Sequence, residues 1–247
     1  MLLAEEGADL ELFEARDRLG GRLQTHEPGG GVVYDAGGEW IDSDHRRVLD
    51  LCTRLGMPAD PSGFWPGRVV YRGATSTEDL LWADALEDDL RVEAAAREKC
   101  RNLANPPWRN ERHRDLDRRT LDEFVVEPCT SARGLWCLRA KCRADEGEDP
   151  SRISLLGWLC GYLHYLERDP GAMSAFRIPG GAQSLCSQMA KSLPEPRLGW
   201  TLRRVRNGVT EVQLEFDEGK VAVDRVVLTL PPPALERVVF DPPVRVE

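Results

Sequence analysis

The 247-residue chain contains seven cysteines but no C-x-x-C pair, and its four histidines (His26, His45, His113 and His164) show no metal-ligand spacing. A zinc centre is therefore not expected, and the thiols read as free side chains in a reduced compartment. Positive charge is not in excess either. With 33 Lys and Arg against 42 Asp and Glu, the net charge is −9, which excludes a general attraction to nucleic acid or to an anionic membrane. Long hydrophobic runs are missing: the best, Leu155 to Leu166, falls short of the roughly 18 apolar residues of a membrane span and is interrupted by Gly157, Gly161 and His164. It reads as a buried helix. The N-terminus, Met1-Leu2-Leu3-Ala4-Glu5-Glu6, has no basic stretch and no small-residue cleavage site, so no secretory signal is expected and the cytoplasm is the default location. There is no internal repeat, and no G-x-G-x-x-G: Gly29-Gly30-Gly31 runs on into Val32, Val33 and Tyr34.

What is present reads as α/β, then a helical segment, then α/β again. Met1 to Glu6 reads as the end of a helix closed by Gly7, followed by a strand at Leu10 to Phe13 and an extended piece at Val32 to Tyr34. Val48, Leu51, Cys52 and Leu55 recur at helical spacing behind the capping residues Asp42, Ser43 and Asp44, and Gly56 closes the segment. From Ser76 to Ala144 the chain is mostly helical, with Leu80, Leu81, Leu86 and Leu90 set among acids and a capping box at Thr120 to Glu123. Asp149-Pro150 is expected to open the apolar helix that runs through Tyr165. Val212, Leu214 and Phe216 alternate, turn at 217–220, and alternate again at Val221 and Val223. Val226 to Leu230 is a continuous apolar run of the kind found in strands buried on both faces.

The most informative segment is Leu10 to Arg22, L-E-L-F-E-A-R-D-R-L-G-G-R. An acid at the C-terminal end of a strand, here Glu14, is where dinucleotide folds hold the adenosine ribose hydroxyls. Gly20 and Gly21 permit close backbone approach to a phosphate, and Arg16 and Arg22 complement its charge.

As an ordered string this segment resembles E-A-R-D-R-x-G-G-R of the flavin-containing amine oxidases, the family of monoamine, polyamine and L-amino-acid oxidases. Asp35-Ala36-Gly37-Gly38-Glu39-Trp40-Ile41 is similar to the family's D-x-G-G-x-W, and Arg177 to Leu185 to its R-I-x-G-G-x-x-x-L. Val226 to Pro232 and Phe240-Asp241-Pro242-Pro243 match its strand-then-P-P element and its F-x-P-P. The resemblance implies an FAD-binding dinucleotide fold, incomplete in this chain, with a mostly helical substrate-domain insert. It divides the chain into a first FAD-binding part (1–62), the insert (63–171), a second FAD-binding part (172–240) and the start of a substrate-domain return (241–247).

By the same resemblance Glu14 would hold the ribose, and Arg16, Gly20, Gly21 and Arg22 would line the pyrophosphate. Gly37, Gly38, Glu39 and Trp40 would lie near the isoalloxazine, and the backbone of Leu202 would touch adenine. The implied reaction is oxidation of a small amine by FAD, with imine hydrolysis and O2 reduced to hydrogen peroxide. No catalytic residue is assigned, and the resemblance does not define an oligomeric state. The first glycine of a dinucleotide turn lies about 20 residues or more ahead of the ribose acid, whereas Glu14 has only thirteen residues before it. The turn is thus expected upstream of Met1, and the family's catalytic segments beyond Glu247. Two alternatives remain open: a flavoenzyme like the protoporphyrinogen oxidases or carotenoid desaturases, and a non-catalytic remnant that binds no flavin.

Overall fold

The computed structural model describes all residues except 64–67, 78–81, 167 and 245–247. The expected helical positions Leu80 and Leu81, and the last three residues of the expected return segment, lie outside the described residues. In chain order the strands are β1 (Phe13–Glu14), β2 (Thr25–Gly29), β3 (Val32–Asp35), β4 (Asp60–Pro61), β5 (Arg68–Tyr71), β6 (Ala74–Thr77), β7 (Phe176–Arg177), β8 (Arg197–Leu198), β9 (Leu202–Asn207), β10 (Val212–Phe216), β11 (Lys220–Val223) and β12 (Val239–Asp241). The helices are α1 (Leu2–Glu5), α2 (Arg46–Arg54), α3 (Ala83–Arg101), α4 (Arg114–Arg118), α5 (Leu121–Val126), α6 (Ala132–Glu146), α7 (Leu155–Leu166), α8 (Gln183–Ala190) and α9 (Pro232–Leu235). The fold is mixed α/β with small sheets. It divides into two compact units, one of residues 1–63 and 173–247, the other of residues 64–172.

In the first unit, β11-β10-β9-β12 form a four-stranded sheet, antiparallel through the meander and parallel where β12 joins β9. The alternation in β10 explains its seat: Val212 and Leu214 are buried while Gln213 faces out. They pack with Val205 and Val238, and Leu202, Phe216 and Phe240 lie against the same cluster. A second cluster joins Cys52 of α2 and Leu185 of α8 to Ile41 and Ile178. β1 and β8 pair in parallel, with Glu14 opposite Leu198.

Three expectations are corrected here. Val226 to Leu230 is not a strand buried on both faces: among the described residues no strand pairs with it. It is an extended segment whose Val226, Leu228 and Leu230 pack on the sheet core while Val227 is exposed. The strand expected at Leu10 to Phe13 is shorter and later, covering only Phe13 and Glu14. Helix α2 is preceded by His45 rather than capped by a side chain of Asp42 to Asp44, and the Nδ1 of His45 instead accepts the Asp42 N–H at 3.1 Å.

The second unit is helical around Leu121, Phe124, Val125, Leu138, Leu155 and Leu159. Helix α3 buries one stripe, Ala85, Asp88, Val92, Ala96 and Cys100, at near-helical spacing. The capping box at Thr120 and Glu123 is formed, each side chain bonding the other's backbone N–H. Asp149-Pro150 opens a separate 3-10 turn, Pro150–Arg152, rather than α7. Helix α7 begins one turn later, where the Ser154 hydroxyl accepts the Gly157 N–H at 3.1 Å. The hairpin β5–β6 lies ahead of the segment read as helical and overlaps it only at Ser76 and Thr77, turning through Arg72 (φ 48°) and Gly73 (φ 85°). Among the described residues no helix is long and apolar enough to cross a membrane.

Candidate functional site

Glu14 stands at the C-terminal end of β1, in parallel pairing with β8. The ladder continues beyond the two assigned residues: Arg197 N–H donates to the Leu12 carbonyl at 2.8 Å, Trp200 to Glu14 at 2.9 Å and Gly199 to Arg16 at 3.0 Å. Beneath it Phe13 stacks on Phe216 with ring centroids 4.6 Å apart, and Trp200 tilts against both rings. The strand is short but anchored. One Glu14 oxygen accepts the Arg16 N–H at 2.8 Å, which folds the chain sharply as it leaves the strand. The other makes no hydrogen bond among the described residues.

The loop that follows is organised by Arg18. Its guanidinium donates to the carbonyls of Leu19 (3.3 Å), Gly21 (3.0 Å) and Leu23 (3.0 Å) and to the Gln24 side chain (3.1 Å). Five donors in a planar fork suit a curled backbone of this kind. Arg16 and Arg22 play no such part: both are exposed, and among the described residues their guanidinium groups have no hydrogen-bonded partner. Gly20 (φ 116°) and Gly21 (φ 55°) sit in the curl, and a β-carbon on Gly20 would lie 2.5 Å from the Leu23 carbonyl oxygen.

A second segment runs against the first. Ala36 N–H donates to Gln24 (2.7 Å) and Gly38 N–H to Arg22 (3.0 Å). A third comes from far along the chain. Asp35 accepts the Ala182 N–H with both oxygens at 3.1 Å, and Thr25 Oγ1 accepts the Gln183 N–H at 3.1 Å. Gly181 (φ 94°) crosses Thr25 so closely that a β-carbon would fall 2.1 Å from its side chain. Arg177 pairs with Glu39 at 2.9 Å, and its guanidinium lies 5.5 Å from the Trp40 ring centre. Ile41 and Phe176 exchange both backbone hydrogen bonds at 2.8 Å.

The structure thus brings together Glu14, Arg16, Gly20, Gly21 and Arg22 on one segment, and zips this segment to the one bearing Gly37, Gly38, Glu39 and Trp40. Leu202 stands apart, at the start of β9 with its side chain against the sheet core, two residues beyond the Trp200 N–H that donates to Glu14. Sequence reasoning missed Arg18, Thr25, Asp35 and Gln183 as organisers. Arg18 lies inside the first motif, but its spacing shows charge and not the four acceptors it finds. The partners of Asp35 and Gln183 are about 150 residues away, beyond any local pattern.

The family model for flavin containing amine oxidoreductases matches residues 2–247. The chain is 29% identical over 98% of its length to AofH of Mycobacterium tuberculosis, named as a candidate flavin-containing monoamine oxidase. It is 24% identical over 98% of its length to the putrescine oxidase of Kocuria rosea. It covers 56% of each of these relatives, so it spans little more than half their length. Among solved structures, the cyclohexylamine oxidase of Brevibacterium oxydans shares the fold with a TM-score of 0.82 at 24% identity, over 98% of this chain and 57% of that one. A putrescine oxidase bound to putrescine does so with a TM-score of 0.74 at 22% identity, over the same shares of the two chains. With the family model running through all three of the interlocked segments, the chain belongs to the flavin-containing amine oxidoreductase family.

Proposed function

We propose that this chain is part of an FAD-dependent amine oxidase, with the first unit contributing an FAD-binding dinucleotide fold and the second a helical substrate-domain insert. The observation that carries this reading is the convergence of three glycine-bearing segments beside a strand-end carboxylate, held by bonds that leave Arg16 and Arg22 exposed. The residues suit the cofactor. A β-carbon on Gly21 would meet nothing within 4 Å, so the backbone there is open to close approach, and the exposed Arg16 and Arg22 on the same segment supply positive charge for a pyrophosphate. FAD, when bound, supplies the two-electron acceptor for oxidising an amine to an imine, and passes the electrons to O2 to give hydrogen peroxide.

Glu14 would accept hydrogen bonds from the adenosine ribose hydroxyls, using the oxygen not committed to Arg16 N–H. Arg16, Gly20, Gly21 and Arg22 would complement the pyrophosphate, and Gly37, Gly38, Glu39 and Trp40 would flank the isoalloxazine. The Arg177–Glu39 ion pair holds the orientation of that last segment. The backbone at Leu202 would meet adenine. Substrates would be a small amine and O2, as the names of the putrescine and cyclohexylamine oxidases suggest. Titration with FAD and with FMN tests the reading. In the full-length protein, a site built around the adenosine ribose favours FAD at least tenfold, and equal binding of the two contradicts it.

A further inference from the structure

The Gln183 side chain reaches across 158 residues and more to make two hydrogen bonds with the loop that carries Gly20 and Gly21. Its Nε2 donates to the Leu19 carbonyl at 2.9 Å, and its Oε1 accepts the Thr25 N–H at 3.0 Å. These two contacts bracket the curl, one on each side. The Leu19 carbonyl is shared with Arg18, so the same oxygen is held from within the loop and from outside it. The Gln183 stem also backs the curl: a β-carbon on Gly20 would lie 3.1 Å from its Cγ. The backbone of Gln183 is fixed in turn, because its N–H donates to Thr25 Oγ1 and the preceding N–H of Ala182 is held by Asp35.

From this geometry we infer that Gln183 is a positioning residue for the cofactor: it holds the Gly20–Gly21 curl in its binding conformation from outside the loop. The inference rests on the FAD reading above and extends it to a residue that touches the loop rather than the ligand. Both hydrogen bonds are local to the curl and the residue carries no charge, so its effect is on the order of the loop and not on the field around a phosphate. A curl fixed before the ligand arrives loses less conformational freedom on binding, which is how a supporting shell raises affinity.

The chemistry of the amide makes the role separable. Gln183→Leu keeps the volume and removes both bonds. Gln183→Glu keeps the acceptor for Thr25 N–H but sets a carboxylate oxygen against the Leu19 carbonyl, so the donor side is lost and a negative charge is added. Hydrogen exchange in the ligand-free chain reads the loop directly, and FAD titration reads the consequence. For Gln183→Leu we expect the Thr25 amide to exchange at least tenfold faster and the Kd for FAD to rise about tenfold. For Gln183→Glu, Thr25 exchange stays near that of the parent chain while the affinity falls by a smaller factor. If Gln183→Leu fails to fold, the Gln183→Glu result decides, and parent-like FAD affinity in it overturns the inference. Unchanged exchange over residues 19–25 in Gln183→Leu, or faster exchange with unchanged affinity, overturns it too. The titrations are made on the full-length protein, and its failure to bind FAD overturns the FAD reading, and the inference with it.

Discussion

Gly37 crosses the backbone of Arg22 so closely that a β-carbon on it would lie 2.0 Å from the Arg22 carbonyl oxygen. The neighbouring Gly38 N–H donates to that same oxygen at 3.0 Å, so neither strand of the crossing can withdraw without losing the bond. The glycine pair of the second segment is therefore a packing requirement of the first. Gly37→Ala is expected to destabilise the first unit by about 2 kcal/mol or more, the scale of forced overpacking. Chemical denaturation followed by the fluorescence of Trp200 and its neighbours checks it, and an unchanged midpoint contradicts the crossing.

In the second unit, Asp88 is a fully buried carboxylate within an otherwise apolar helical stripe. One oxygen accepts from Arg91 (2.8 Å) and from the N–H and hydroxyl of Thr130 (2.9 and 3.0 Å); the other accepts from the N–H and hydroxyl of Ser131 (3.1 and 3.0 Å). Burial alone pushes its pKa up, but the bonds from Thr130 and Ser131 outweigh it and hold the carboxyl below the ordinary value. A folded pKa below the unfolded one means that Asp88 stabilises fully above the ordinary carboxylate range, and that this contribution is lost as pH falls through the lowered value. Asp88→Asn turns an NH2 group toward donors and leaves Arg91 with a weaker partner. We expect it to cost about 2 kcal/mol at neutral pH, the scale of a buried donor left without its acceptor. Thermal melts at pH 7 and on the acid side check both parts, because the variant's stability falls less steeply with acid than the parent's.

Burial raises the thiols of Cys129 and Cys142 to about 11. At pH 8 each then carries only about one thiolate in a thousand, and the thiolate is the reacting species. Native chain treated with iodoacetamide at pH 8 is expected to leave both unlabelled over minutes, while unfolded chain labels at all seven cysteines. Rapid native labelling at Cys142 contradicts the buried position of helix α6.

Much of this was legible from residue types. The β10–β11 meander follows from strict alternation at Val212, Leu214 and Phe216, and the helix at Thr120 from a capping box that closes within four residues. The glycine pairs were legible as places of close approach, but to a phosphate, whereas Gly37 and Gly181 meet Arg22 and Thr25 of the chain itself. The rest depended on partners distant in sequence. Val226 to Leu230 has the composition of a central strand, but pairing is a property of its neighbours, and among the described residues it has none. The β5–β6 hairpin turns on Arg72-Gly73, which is not one of the Asn-Gly or Asp-Gly pairs that mark such turns in a sequence. Arg18 and Gln183 lie inside two of the motifs without a role of their own until their shared acceptor, the Leu19 carbonyl, is seen.

The central claim is that Glu14, at the end of β1, holds the ribose of FAD. Its most direct test is the Kd for FAD of the full-length protein beside that of its Glu14→Ala variant, with circular dichroism confirming that both are folded. Loss of two hydrogen bonds to a charged acceptor predicts a Kd raised at least about tenfold. An FAD affinity equal to the parent's in the folded variant would contradict the assignment.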